Sequence, residues 1–317
     1  MTQEPDATVP RARAVHPALA FGIGALSALV GLAPWLGTGA RMPLQNLWAT
    51  DTMPDEMPLV LLPLSNYQAV SAAALLVIGA AIAGTVVAIV RARGLAMSAS
   101  ATLAGLLVVQ LAALAQSALA LAGGLGDEDR ARLYLWVLIA AALLAMGLGV
   151  LALLGIASRR PVPSTLAIAA AAVALGTWLS EALVVVMPGG TGGPVIVWQF
   201  AEWLPAVVTG IAVGWCGVRT VGRTLASLAA LALIWVGPAA LVALFYGLGS
   251  RIYLQNPEEL VPAMKQAFQM ALGSAGQGPQ RLAITLSAAV ISWLAFAAWS
   301  RTRTAPEGAP TVSADAP

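Results

Sequence analysis

Apolar residues run along this chain in long unbroken blocks rather than in alternation. Eight blocks reach the roughly 20 residues that a helix needs to cross a bilayer, at about 17 to 37, 67 to 90, 96 to 122, 132 to 157, 164 to 187, 203 to 220, 224 to 248 and 282 to 300. A membrane β-barrel is excluded, since its strands alternate with period two and need about half that length. The pattern predicts an all-α integral membrane protein, a polytopic bundle of about eight transmembrane helices forming a single domain over 16 to 302. The flanking stretches, 1 to 15 and 303 to 317, lack apolar periodicity and are expected to be disordered cytoplasmic tails. The first block is expected to be a retained span. It is longer than the apolar region of a signal peptide, and its Pro34-Trp35 end lacks a small-x-small cleavage site.

Two segments between the blocks carry patterns of their own. Near 257 to 272, Leu260, Val261, Met264, Phe268 and Leu272 recur at helical spacing. Asn256 can cap, Pro257 fits the first turn, Glu259 can complete a capping box and Gly273 can terminate. An amphipathic helix lying on the membrane surface or capping the bundle is expected there. The segment from 38 to 66 is broken by Pro54, Pro58 and Pro63 around Leu59 to Leu62, which suggests a short dip into the interface.

Composition narrows the class further. Hydrophobic residues make up 59% of the chain and charged residues 9%, against about 25% charged in soluble domains. A soluble enzyme, a nucleic-acid-binding module and a secreted disulfide scaffold are thereby excluded. The single cysteine, Cys216, lies in an apolar block and reads as packing. The single histidine, His16, precedes the first span, so no histidine-based metal or haem site can be assembled within the chain. No cofactor and no metal are expected. Lys265 is the only lysine among 16 basic residues, a bias that fits a GC-rich bacterial genome and hence the cytoplasmic membrane.

The few charges are sorted by side. Arg11, Arg13, Arg91, Arg93, Arg159, Arg160, Arg219, Arg223, Arg301 and Arg303 fall at one set of block ends, and no loop between blocks on that side holds an acid. Asp51, Asp55, Glu56, Asp127, Glu128, Asp129, Glu258 and Glu259 fall at the other. The positive-inside rule then places both termini in the cytoplasm, N-in and C-in.

A repeat is visible in LGTGARMPLQN, 36 to 46, and YGLGSRIYLQN, 246 to 256. It would relate helices 1 and 2 to helices 7 and 8 about an axis along the membrane normal.

Candidate chemistry centres on Glu181, the only acid well inside a block. A charge at the bilayer centre costs about 2.5–3.5 kcal/mol even on the lenient insertion scale, so a carboxylate at depth is a functional candidate. Its position near the outer end of its helix also allows contact with water. Thr177 and Trp178 share its face. Gln116 and Ser117 lie at similar depth in the third block, Gln110 is nearer its middle, and Glu202 begins the sixth. Together they suggest an outward-opening polar cavity, with interhelical hydrogen bonding as the alternative for the glutamines. Arg41 and Arg251, on the unfavoured side for arginine, would be explained by pairing with Glu181, Glu202 or an anionic head group, or by snorkelling. Gly210 and Gly214 allow close packing, Pro238 should kink the seventh helix, and Trp35, Trp48, Trp198, Trp203 and Trp299 read as belt residues.

Three function classes accommodate these features. The first is a small-solute permease with a substrate or proton site at Glu181, Thr177, Gln116, Gln110, Glu202, Arg41 and Arg251. The second is a non-catalytic envelope scaffold or assembly factor using the long external segments. The third, ranked last, is an outer-face membrane enzyme. Asp51, Asp55 and Glu56 superficially resemble the acidic first loop of polytopic lipid-dependent glycosyltransferases, which implies carboxylates that bind a cation or act as a base. That resemblance covers one loop, and the chain lacks the large external domain of that class. Expected partners are the lipid bilayer and either a small solute or an envelope protein, with no nucleic acid; self-association into a homo-oligomer is left open.

Overall fold

The computed structural model describes residues 14–45, 47–187, 194–249 and 257–303. Among them are nine helices: α1 (Pro17–Gly37), α2 (Ala69–Ala92), α3 (Ala99–Gly124), α4 (Asp129–Ala157), α5 (Pro161–Val186), α6 (Val195–Cys216), α7 (Val221–Gly249), α8 (Pro257–Leu272) and α9 (Gly278–Arg303). All except α8 are long and apolar enough to cross a membrane. Large apolar side chains such as Leu144, Leu151 and Ile291 remain about two-thirds exposed, as lipid-facing positions require. The protein is an all-α, multi-pass membrane bundle. Residues 1–13 and 304–317 of the expected tails, the Asn256 cap, and Asn46 and 250–256 of the expected repeat lie outside the described residues, whereas Val15 N donates to Ala96 O (2.8 Å) and Arg303 is the last residue of α9.

Local chemistry sets the helix ends. Pro17 and Pro161 occupy the first turns of α1 and α5, where a missing N–H costs nothing. Ser98 Oγ accepts from Ala101 N at the start of α3. The largest shift from expectation is in α6, which begins at Val195 rather than 203 and stops at Cys216 rather than 220. Its apolar run continues backwards across Glu202 through Trp198 and Ile196, and Gly217, at φ 65°, ends it in a conformation that other residues rarely adopt. The amphipathic helix is found over Pro257–Leu272.

The bundle has two distinguishable ends. One, the basic end, holds the short connections 93–98, 158–160 and 217–220. There Arg91 donates to Met97 O (2.8 Å) and Ala157 O (3.0 Å), tying α2 to the following turn and to the last carbonyls of α4. Cys216 closes α6 at this end, 1% exposed, with Sγ 3.9 Å from Arg223 O. The other, the acidic end, holds the 38–68 connection, the 125–128 turn and α8.

Small residues let the helices approach. A Cβ on Gly105 would collide with Phe21 O in α1, and one on Gly24 with Thr102 O in α3. Gly84 lies against Leu153 in α4, and Gly210 and Gly214 against Thr285 and Ser292 in α9. Such close backbone contact drives association where lipid removes the usual hydrophobic gain.

These contacts follow one scheme twice. Within α1–α4 the extensive interfaces are α1 with α3, α2 with α4 and α1 with α2, while α3 meets α4 and α2 meets α3 less widely. Within α5–α7 plus α9 they are α5 with α7, α6 with α9 and α5 with α6, with α7–α9 and α6–α7 the lesser pairs. The packing therefore relates helices 1 to 4 to helices 5 to 8 of the membrane set, rather than 1 and 2 to 7 and 8. The halves meet chiefly where α5 packs on α4 and α2. Trp178 Nε1 donates to Gly31 O (2.8 Å) and Asn66 Nδ2 to Leu248 O (2.7 Å) across that seam.

Residues 57–64 turn into the first half, where Met57, Val60, Leu62 and Leu64 are 0–2% exposed and pack among Leu32, Leu76, Leu114, Leu121 and Leu138. Leu59 and Leu61, between them, face outwards. The segment pairs with 40–42 through Met42 N to Pro58 O (2.9 Å) and Val60 N to Ala40 O (2.8 Å).

Leu62→Ala is expected to lower the stability of the purified protein by about 2–5 kcal/mol, read as an earlier thermal unfolding midpoint in detergent, whereas Leu59→Ala should cost about 0.5 kcal/mol or less. Equal shifts for the two would contradict the buried placement of this segment.

Candidate functional site

Where the first half is filled, the second is hollow. A cavity of about 580 Å³ lies among α5, α6, α7 and the start of α9 at the acidic end, bordered by Val70 and Ser71 of α2 and by the turn after α8. Its size is that of a small-ligand cleft, about 300–1,000 Å³.

Glu181 stands on this wall little more than one turn before the end of α5, part-buried. Its Oε1 accepts from Ser71 Oγ at 2.6 Å, a charge-assisted bond that also crosses the seam between the halves. Thr177, one turn earlier, lines the same wall. Glu202 lies opposite on α6, and its Oε1 is 3.5 Å from Nη2 of Arg281 at the start of α9. Two carboxylates and one guanidinium thus border the cavity, with Glu181 lacking a cationic partner among the described residues.

The backbone around the cavity is irregular. Pro205 in α6 and Pro238 in α7 both line it. Each removes the N–H that would bond the carbonyl four residues earlier, Ala201 and Ile234 respectively. Gln277 takes a left-handed conformation (φ 59°, ψ 20°) while its carbonyl accepts from Arg281 N (2.9 Å) to begin α9. A non-glycine residue held there costs on the order of 1–3 kcal/mol. Gln277 Oε1 and Trp198 Nε1, both on lining residues, are buried and make no hydrogen bond within the described protein.

The structure brings Glu181, Thr177 and Glu202 to one cavity and places Gln116, Gln110 and Arg41 elsewhere. Gln116 holds the inserted segment: its Nε2 donates to Leu59 O (2.8 Å) and its Oε1 accepts from Leu61 N (2.9 Å). Neighbouring Ser117 accepts from Leu62 N (2.8 Å). Gln110 Nε2 donates to Leu76 O (2.8 Å), joining α3 to α2 inside the first half. Arg41 does not reach a carboxylate; its Nη1 donates to Met57 O (3.0 Å), where the inserted segment begins. Arg251 lies outside the described residues. Asp51, Asp55 and Glu56 are exposed on the 38–68 connection, away from the cavity.

Sequence reasoning missed Ser71, Trp198, Gln277 and Arg281. Arg281 had a legible signal, being another arginine on the acid-rich side at the mouth of a span. Trp198 looked like a belt residue because the start of α6 was set too late. Ser71 and Gln277 carried no signal without knowledge of which helices meet. Comparisons with protein families, with curated proteins and with solved structures return no match.

The two sets of residues should separate by stability. Gln116→Ala removes the two hydrogen bonds to the inserted segment, at about 0.5–1.5 kcal/mol each, and is expected to lower the thermal midpoint, while Thr177→Ala on the open wall should leave it nearly unchanged. The reverse order of shifts would reject the division into holding and lining residues.

Proposed function

We propose that this chain is a small-solute permease of a bacterial cytoplasmic membrane, N-in and C-in, binding its solute in the cavity at Glu181. The observation that carries this reading is a hollow bordered by Glu181, a carboxylate with no cationic partner among the described residues. A membrane protein keeps such a group at depth when it meets an ion, a proton or a substrate. Proline-interrupted helices beside the cavity support it, because carbonyls freed from the helical ladder can contact a ligand. With Glu202 facing Arg281, the uncompensated charge at the cavity among the described residues is negative, so the solute is cationic.

The acid-rich end, where the cavity lies, faces outwards in this reading, because the short arginine-bearing connections belong in the cytoplasm. Asp55→Cys is expected to react with a membrane-impermeant maleimide in intact cells and Ser158→Cys only after permeabilisation. The opposite pattern would reverse the topology.

Transport is tested in proteoliposomes with labelled small alkylamines and cationic amino acids. At least one should be taken up in a protein-dependent manner, with Glu181→Gln reducing uptake tenfold or more. Unchanged uptake in the variant, or none by the parent protein, would refute the reading.

A further inference from the structure

The two halves share a packing scheme and differ in what lies inside them. In α3, Gln110, Leu114, Ser117, Ala118 and Leu121 lie along the face turned to the first half's interior, most of them packed around the inserted segment or bonded to it. In α7, Ile234, Pro238, Leu241, Val242 and Phe245 line the cavity with the same spacing. Leu32, Trp35 and Leu36 of α1 likewise match Thr177, Ser180 and Glu181 of α5, and Ala72 and Leu76 of α2 match Trp198 and Glu202 of α6. The cavity is therefore the counterpart of the space that residues 57–64 fill in the first half. The connection between α5 and α6 runs only from 187 to 194, against 38 to 68 between α1 and α2, so it has no length to supply an equivalent insert.

The polar groups of the two halves differ. In the first half an indole N–H and a glutamine oxygen serve the backbone of the insert: Trp35 Nε1 donates to Val60 O (2.8 Å) and Gln116 Oε1 accepts from Leu61 N. Where the first half presents Leu36, the second presents Glu181. From this we infer that the ligand of the cavity is a short extended apolar peptide. Its backbone takes the place of 57–64, and its free amino group meets Glu181. This rests on the reading that the cavity at Glu181 binds a cationic solute, and it names the class of that solute.

The test uses the full chain in lipid nanodiscs and the peptide Leu-Val-Leu-Leu with a free amino terminus and a fluorophore at its carboxyl end, followed by fluorescence anisotropy. Saturable binding is expected, weakened at least tenfold by acetylating the peptide and by Glu181→Gln. Thr177→Phe, which fills the wall position matched to Leu32, should abolish binding while the thermal midpoint reports that the variant is folded. Equal affinity for the acetylated peptide, or binding untouched by both variants, would overturn the inference. If butylamine binds in a Glu181-dependent way and the peptide does not, the peptide assignment fails while the cationic site stands. If neither binds, both readings fail.

Discussion

A stretch of chain without helical structure can lie inside a membrane bundle only if its N–H and C=O groups find partners there, because no water is at hand to take them. Residues 57–64 meet that condition with side chains from three directions: Trp35 from α1, Gln116 and Ser117 from α3, and Arg41 from the start of the same connection. Much else in the first half follows. Its interior can be closely packed, α2 can be the most enclosed of the membrane helices, and the half can act as a firm support for its neighbour. The apolar side chains of the insert supply burial, but the glutamine and the indole make that burial admissible.

The second half has the same helix arrangement without the insert. Polar residues appear there at positions that are apolar in the first half, most plainly Glu181 for Leu36 and Glu202 for Leu76. Substituting acids into the first half would bury charge in a sealed core, whereas the same residues beside a hollow can be met by solvent or by a ligand. The seam between the halves is itself polar in places: Ser71 from the filled half holds one oxygen of Glu181 in the hollow one. The closed half thus orients the group on which the open half depends.

The membrane helices were legible because length and continuous apolarity identify them with no knowledge of tertiary structure, and α8 because its apolar residues keep a helical period. The place of Glu181 within a long apolar helix was legible for the same reason. Neither the insert nor the hollow was. Pro58 and Pro63 said only that the chain between α1 and α2 would not be helical, and the destination of the apolar residues between those prolines, Val60 and Leu62 above all, depends on where Gln116 lies on another helix. Gln110 and Gln116 looked like members of a polar cavity because depth along a helix was known and direction around it was not. The duplication was likewise hidden. It resides in which helices touch, while the short similarity of 36–46 to 246–256 pointed to a different pairing.

Cys216 has a further meaning for work on this protein. The sole thiol is 1% exposed at the closed end of α6 and rests against the backbone of Arg223. Thiolate reagents require access as well as ionisation, so the parent chain is chemically silent toward them. A cysteine placed anywhere on its surface becomes the single reactive handle, and positions can be labelled one at a time without first editing the protein.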